Sequence, residues 1–280
     1  RRTYGGKPHP NVAATLSVLG NILENRERYD EAEAVYREAL ATSRALHGDA
    51  PHPQIAADLD NLAGLLRIQG KHAVAEPLLR EAHALDRRLH GDEHPNVASS
   101  LHSLALLLED MERPAEAAEH FRETLRILRA TVGVEHPYVA VTLNNFGMLH
   151  VQQENYDAAE PLLRRSLTLR RSLYEDDHPS ITMGLHNMGM VLHHQGRHGD
   201  AEPLLREAMS IRVDALGPEH WHVAATQVLL GRCLTATGRH TEAKPLLSDG
   251  YRTLLRTHGP DDPRVQTARV HLEALNGPAD

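Results

Sequence analysis
HPYVAVTLNNFGMLHVQQENYDAAEPLLRRSLTLRRSLYEDDHP, residues 136–179, opens and closes on the same dipeptide. Outward from it, His-Pro recurs at His9-Pro10, His52-Pro53, His94-Pro95 and His178-Pro179, and His220-Trp221 and Asp262-Pro263 continue the series in altered form. The steps are 43, 42, 42, 42, 42 and 42 residues. A fixed period in the range of roughly 20–50 residues marks a stack of supersecondary units, each burying its apolar face only against its neighbours.

Within the quoted stretch Pro137 suits a first helical position, where a missing N–H costs nothing. Val139, Leu143, Phe146 and Gly147 follow at helical spacing and predict a helix A that ends near Gln153. Glu154-Asn155-Tyr156-Asp157 reads as a turn, with Asp157 as the N-cap of a helix B that runs to about Tyr174. The other repeats obey the same grammar. A small residue recurs in helix A as Gly20, Ala63, Ala105, Gly147, Gly189 and Gly231, and another in helix B as Ala32, Ala75, Ala117, Ala159, Ala201 and Ala243. Two small columns let the helices of one hairpin approach closely. Leu16, Leu59, Leu101, Leu143 and Leu185 fill the space between repeats, and Gln227 interrupts that column. Proline stands one turn into helix B at Pro77, Pro161, Pro203 and Pro245. Pro263 to Leu275 reads as a lone helix A whose Arg264, Gln266, Arg269, His271 and Glu273 cover the last open face.

The expected fold is therefore all-α: a right-handed alpha-alpha superhelix of six helix-turn-helix repeats plus a capping helix. The repeats run over 9–51, 52–93, 94–135, 136–177, 178–219 and 220–261, with the capping helix at 262–276, a leader at 1–8 and a tail at 277–280. Bulk properties agree. Apolar residues make up 41% with only 4% aromatic, as a helical Leu/Ala core requires. A net charge of -8 argues against a nucleic-acid partner, which calls for a basic face. The one cysteine, Cys233, excludes a disulfide framework and fits a reducing, cytoplasmic compartment. No apolar run approaches the roughly 20 residues of a membrane span. The chain begins with Arg1 and enters a repeat by residue 9, which reads as a segment of a longer protein.

The Leu, Gly/Ala, Tyr/His, Ala, Leu/Phe, Ala order across two helices resembles the tetratricopeptide repeat (TPR). The 42-residue unit and phrases such as AEPLLREA resemble the kinesin-light-chain-like subfamily over roughly residues 8 to 275. The resemblance implies a solenoid whose A helices line a concave groove that holds a peptide or protein segment. In bacteria it implies a signalling context, with the array appended to an NB-ARC-type NTPase or a caspase-like peptidase. On that basis the asparagines just before the A-helix core leucine, Asn61, Asn145 and Asn187, are expected to hold a bound backbone, since an amide donates and accepts at once. Ser103, Val18 and Leu229 depart from the pattern. The expected groove lining adds Asp60, Arg67, Ser99, His102, Leu106, Val141, Asn144, Met148, Met183, His186, Met190, His193 and Arg232. Methionines make an adaptable apolar surface. Asp60, Glu109 and Asp110 stand against the preference for acidic cargo that the subfamily implies. Each reading has a plain rival: asparagines kept by repeat duplication, methionines packing between A helices, carboxylates facing solvent.

Of 21 histidines, twelve fall to repeat position: six in the His-Pro series, His72, His198 and His240 at the turn, and His47, His90 and His258 before a helix-ending glycine. His186, His193, His194 and His198 remain a cluster, but no Glu lies between two histidines as a zincin requires, and Cys233 has no second thiol. No metal, cofactor or catalytic residue is expected. Gly5-Gly6-Lys7 lacks the strand and the Ser or Thr of a P-loop. The expected function is a protein- or peptide-binding scaffold or sensor and not an enzyme. The alternative is an arm that packs on an NTPase or protease domain of its own chain, and the remote alternative is an enzyme.

Overall fold
The computed structural model describes residues 9–48 and 50–276; the expected leader and tail lie outside the described residues. Those residues form thirteen α-helices and no strand. The A helices are α1 (Pro10–Glu24), α3 (Pro53–Ile68), α5 (Pro95–Asp110), α7 (Pro137–Gln152), α9 (Pro179–His194) and α11 (Trp221–Ala236). The B helices are α2 (Tyr29–His47), α4 (His72–His90), α6 (Pro114–Thr131), α8 (Tyr156–Leu173), α10 (His198–Leu216) and α12 (His240–His258), and α13 (Pro263–Asn276) stands alone after them. The chain divides between Val134 and Glu135 into two compact units.

Each A helix up to α11 is entered through a histidine. His9, His52, His94, His136, His178 and His220 hold extended backbone. Their Nδ1 atoms accept the amides of Asn11, Gln54, Asn96, Tyr138, Ser180 and His222 at 3.1 to 3.2 Å. The proline that follows all but His220 has no N–H to satisfy, so each His-Pro pair supplies a cap and a preset φ together. The capping ring also stacks on the ring that closes the preceding B helix: His52 on His47 at 3.4 Å, His94 on His90 at 4.1 Å and His178 on Tyr174 at 4.2 Å. Proline at the first position is as expected; the histidine's share is added by the structure. One boundary is corrected. Helix α8 starts at Tyr156, so its N-cap is Asn155, whose side chain accepts from the Ala158 amide, and Asp157 lies in the first turn.

Hairpins close as the small columns require. All six B-helix alanines of that column are fully buried. A methyl group on Gly147 would sit 2.7 Å from Leu163 Cγ, and one on Gly189 2.6 Å from Leu205 Cδ2. Opposite Gly20 lies the ring of Tyr36. Turns between A and B pass through a left-handed residue, which is Gly196 (φ 75°) in the fifth repeat but Glu154 (φ 56°) in the fourth.

In the N-terminal unit, α1, α3 and α5 touch in succession along one side, whereas α2, α4 and α6 pack closely only on the A helices and reach one another through long side chains, as Arg44 on α2 does to Glu81 on α4 at 2.7 Å. The C-terminal unit repeats this with α7, α9, α11 and α13. The A side is thus the tighter, inner side of each unit. Leu59, Leu101, Leu143 and Leu185 are buried, and α13 covers the end of its unit by packing on α11 and α12. Carboxylates at the start of the B helices form a ladder. Glu33, Glu76, Glu160 and Glu202 accept from Lys71, Arg113, Arg197 and Arg239, which stand one repeat ahead, at 2.6 to 2.9 Å. No described helix is long and apolar enough to cross a membrane.

Candidate functional site
Every residue proposed for the groove lies on an A helix. In the N-terminal unit Asp60, Asn61 and Arg67 are on α3, and Ser99, His102 and Leu106 on α5. Asp60, Asn61 and Ser99 share the wall of one open pocket of about 220 Å³ with Asp86, which reaches it from α4. Burial pushes the Asp60 carboxyl up; the Ser103 hydroxyl opposes this and the nearby Asp86 adds to it. Asp60 Oδ1 is buried and makes no hydrogen bond. Asp86, 8% exposed, is likewise pushed up by burial, against a hydrogen bond from Ser100. The His90 and His94 imidazoles act on Asp86, but among the described residues neither carboxyl has an Arg or Lys partner, and two carboxyls in poor solvation form a site that gains from a guanidinium or ammonium.

Other candidates in this unit fare differently. Arg67 is engaged by Asp110 at 2.7 Å, so that basic and that acidic residue cancel each other. His102 is not part of an open lining: it is 6% exposed and packs edge-on against Phe121. Burial, with the charge of Arg67, pushes its imidazole down to about 4, and it stays neutral near pH 7.

In the C-terminal unit α7 carries Val141, Asn144, Asn145 and Met148; α9 carries Met183, His186, Asn187, Met190 and His193; and α11 carries Arg232. Asn144 too departs from the expected lining, being 3% exposed. Its Oδ1 accepts from Asn187 Nδ2 at 3.0 Å, and its own amide donates to Asn145 Oδ1 at 3.3 Å. The asparagines of two successive A helices therefore form a chain. Met183 is 40% exposed, whereas Met190 packs against the core and Met148 is half-buried.

The buried charge in this unit has the opposite sign. Where helix α4 has Asp86, α8 has Arg170 and α10 has Arg212, at 3% and 6% exposure. Arg170 donates to the Ser180 carbonyl at 3.0 Å, and Arg212 to the His222 carbonyl at 3.0 Å and Thr226 Oγ1 at 2.6 Å. Burial pulls Arg212 down to about 10 and Arg170 in the same direction. Arg170 Nη2 and Arg232 Nε are buried with no hydrogen bond. His186, beside Arg212, is pushed down to about 3 by burial, then by the charges of Arg212 and His222. Sequence reading missed this column because its residues lie on B helices, outside the pattern taken for the groove.

Family models of the tetratricopeptide repeat match residues 12–54, 54–130, 104–172, 138–186 and 180–256. The chain belongs to the tetratricopeptide repeat family. Among solved structures it is similar to BtubC (BKLC) from P. vanneervenii, at 21% identity over 82% of this chain and 92% of that one, with a TM-score of 0.72. It is similar to the nearly identical TPR-like repeats of a putative kinesin light chain from Podosopora anserina, at 24% identity over 75% and 99% of the two chains and a TM-score of 0.64. It also matches a signal transduction ATPase with numerous domains that has a tetratricopeptide repeat sensor, from Pyrococcus horikoshii. There the identity is 12%, the TM-score 0.74, and the match covers 94% of this chain but 38% of that one. No curated protein matches the chain significantly.

Proposed function
We propose that the chain is a non-catalytic interaction scaffold whose A-helix faces hold an extended peptide or protein segment. The N-terminal unit's face takes a cationic side chain from that segment. The observation that carries this reading is Asp60, whose buried, unpartnered Oδ1 shares a pocket wall with Asn61, Ser99 and the buried Asp86. A bound Arg or Lys satisfies that oxygen and relieves the raised carboxyls, and the half-buried Asn61 amide beside it offers both a donor and an acceptor to a peptide bond. The acidic pocket departs from the acidic-cargo preference that kinesin-light-chain resemblance implies.

The test is an array of immobilised peptides in which each member with one Arg or Lys is matched by the same peptide with Gln there. The protein is expected to prefer the cationic member of some pairs by at least about tenfold, the scale of one charge-assisted hydrogen bond. Asp60→Asn is expected to erase the preference while circular dichroism stays unchanged. Equal binding of both members of every pair, or an undiminished preference in Asp60→Asn, removes the reading.

A second reading, an arm that regulates another domain of its own chain, is supported by the likeness to the Pyrococcus ATPase, of which a comparable array is the sensor and a minority of the chain. An NTPase or protease domain in the same reading frame would favour it.

A further inference from the structure
Folding brings together three metal-ligating side chains that the sequence scatters. His193 lies in the last turn of α9, His198 opens α10 and Cys233 lies on α11, all in the C-terminal unit. Their ligand atoms lie within 4.8 Å of one another. Cys233 Sγ and His193 Nδ1 are 3.3 Å apart, a thiol–imidazole hydrogen bond. That contact accounts for two of the three atoms. The third residue, His198, has a buried Nδ1 that makes no hydrogen bond. We propose that His193, His198 and Cys233 form a site for one zinc ion, joining the fifth hairpin to the sixth.

The donor set suits that ion. One thiolate and two imidazoles are borderline-soft ligands of the kind zinc and copper select, and zinc accepts three protein ligands plus an exogenous donor. Zinc would draw together the sulfur and one nitrogen of each imidazole. Burial, then the charge of Arg232, pushes the His193 imidazole down to about 3, so it is a neutral, ready ligand near pH 7. Burial pushes the Cys233 thiol up to about 11, so binding replaces its proton by the cation. His194 and His271 also lie near His193, but burial pushes both imidazoles down and leaves them neutral near pH 7, so the positive charge beside the site is that of Arg232. A zinc–thiolate unit keeps a net positive charge, so this environment favours an anionic fourth ligand: hydroxide, chloride or a carboxylate.

Repeat columns show that the arrangement is special to this place. Where α11 has Cys233, the earlier A helices have Ile22, Leu65, Leu107, Leu149 and Val191. Where α9 has His193, the others have Glu24, Arg67, Glu109, Val151 and Thr235. A zincin-type search along the sequence misses the site, because one ligand comes from each of three helices.

The columns also supply test variants that the repeat already accommodates elsewhere. Cys233→Val restores an aliphatic residue that α9 carries at Val191. His198→Tyr restores the aromatic residue that opens α2 and α8 at Tyr29 and Tyr156. The chelator-stripped chain is titrated with Zn²⁺ against a competing chromophoric chelator, and with Co²⁺ as a spectroscopic stand-in. The wild type is expected to bind one equivalent of Zn²⁺ more tightly than any surface histidine background, and to melt at a higher temperature with zinc than without. Its Co²⁺ form is expected to show thiolate-to-metal charge-transfer absorption. Cys233→Val is expected to lose that absorption, and both variants to lose at least about 100-fold in zinc affinity, no less than supporting residues of metal sites typically cost. A wild-type cobalt spectrum without the thiolate band, or equal zinc affinity in all three proteins, overturns the proposal.

Discussion
Asn187 on α9 donates its side-chain amide to Asn144 Oδ1 on α7, 3.0 Å away, and so ties two successive A helices across the face they share. Asn144 is almost fully buried, so removing its donor leaves a carbonyl oxygen short of a partner. Asn187→Ala is expected to cost about 1–3 kcal/mol in chemical denaturation, besides any effect on a ligand. Asn187 is expected to hold a bound backbone, but its bond to Asn144 gives it a structural share, which makes Asn61→Ala, on the wall of the Asp60 pocket, the cleaner binding variant. An Asn187→Ala protein with unchanged denaturation midpoint would show that the tie carries no weight.

Gly189 faces Leu205 so closely that an added Cβ meets Leu205 Cδ2 at 2.6 Å. At the same place in the second repeat, Ala63 faces Leu79, and both are fully buried. A single methyl is therefore tolerated by this architecture when the hairpin is built for it, and the gain in helix propensity from Gly to Ala offsets part of the strain. Gly189→Ala is expected to change stability by less than about 1 kcal/mol, whereas the branched Gly189→Val is expected to cost about 2–3 kcal/mol through overpacking. Urea denaturation of the pair decides it; equal stabilities would mean the helices separate freely.

Helix number, pairing and the closing α13 were legible from the sequence because period and small-residue columns constrain each hairpin locally. Placement of the candidate residues on A helices was legible for the same reason. Their environments were not. Burial of His102 and Asn144 depends on how far each helix is rotated toward its neighbour, and one residue's rotation separates a wall from a core position. Asp86, Arg170 and Arg212 escaped notice because a B-helix side chain reaches the A side only once hairpins stack. The site at His193, His198 and Cys233 escaped because sequence motifs record spacing within one element and this trio spans three.

His102 gives the protein an acid-sensitive point in its N-terminal unit. Its folded imidazole, pushed down to about 4 by burial and then by Arg67, titrates below the unfolded value near 6.5. Between those values the unfolded chain binds more protons than the folded one. Stability is therefore full above about pH 6.5 and is lost as pH falls toward 4, by up to about 3 kcal/mol from this group. Replacement by the residue that α7 carries in the same column, His102→Asn, is expected to flatten the melting-temperature profile between pH 6.5 and 4. A profile that keeps its slope in the variant would assign the acid sensitivity elsewhere.

The cap at His94 separates two contributions that the His-Pro series fuses. His94 Nδ1 accepts the Asn96 amide at 3.1 Å, and its ring stacks on His90 at 4.1 Å, so one side chain starts α5 and joins it to the end of α4. His94→Ala removes both and is expected to cost about 1–2 kcal/mol, the usual range for a lost cap with some lost contact. His94→Asn keeps an acceptor for the Asn96 amide and loses only the stack, so it is expected to recover most of the stability. Should His94→Asn prove as unstable as His94→Ala, the histidine series serves the joint between repeats and not the helix start. In that case capping variants at His136, whose Nδ1 accepts from Tyr138 at 3.1 Å, would be expected to behave the same way in thermal melts.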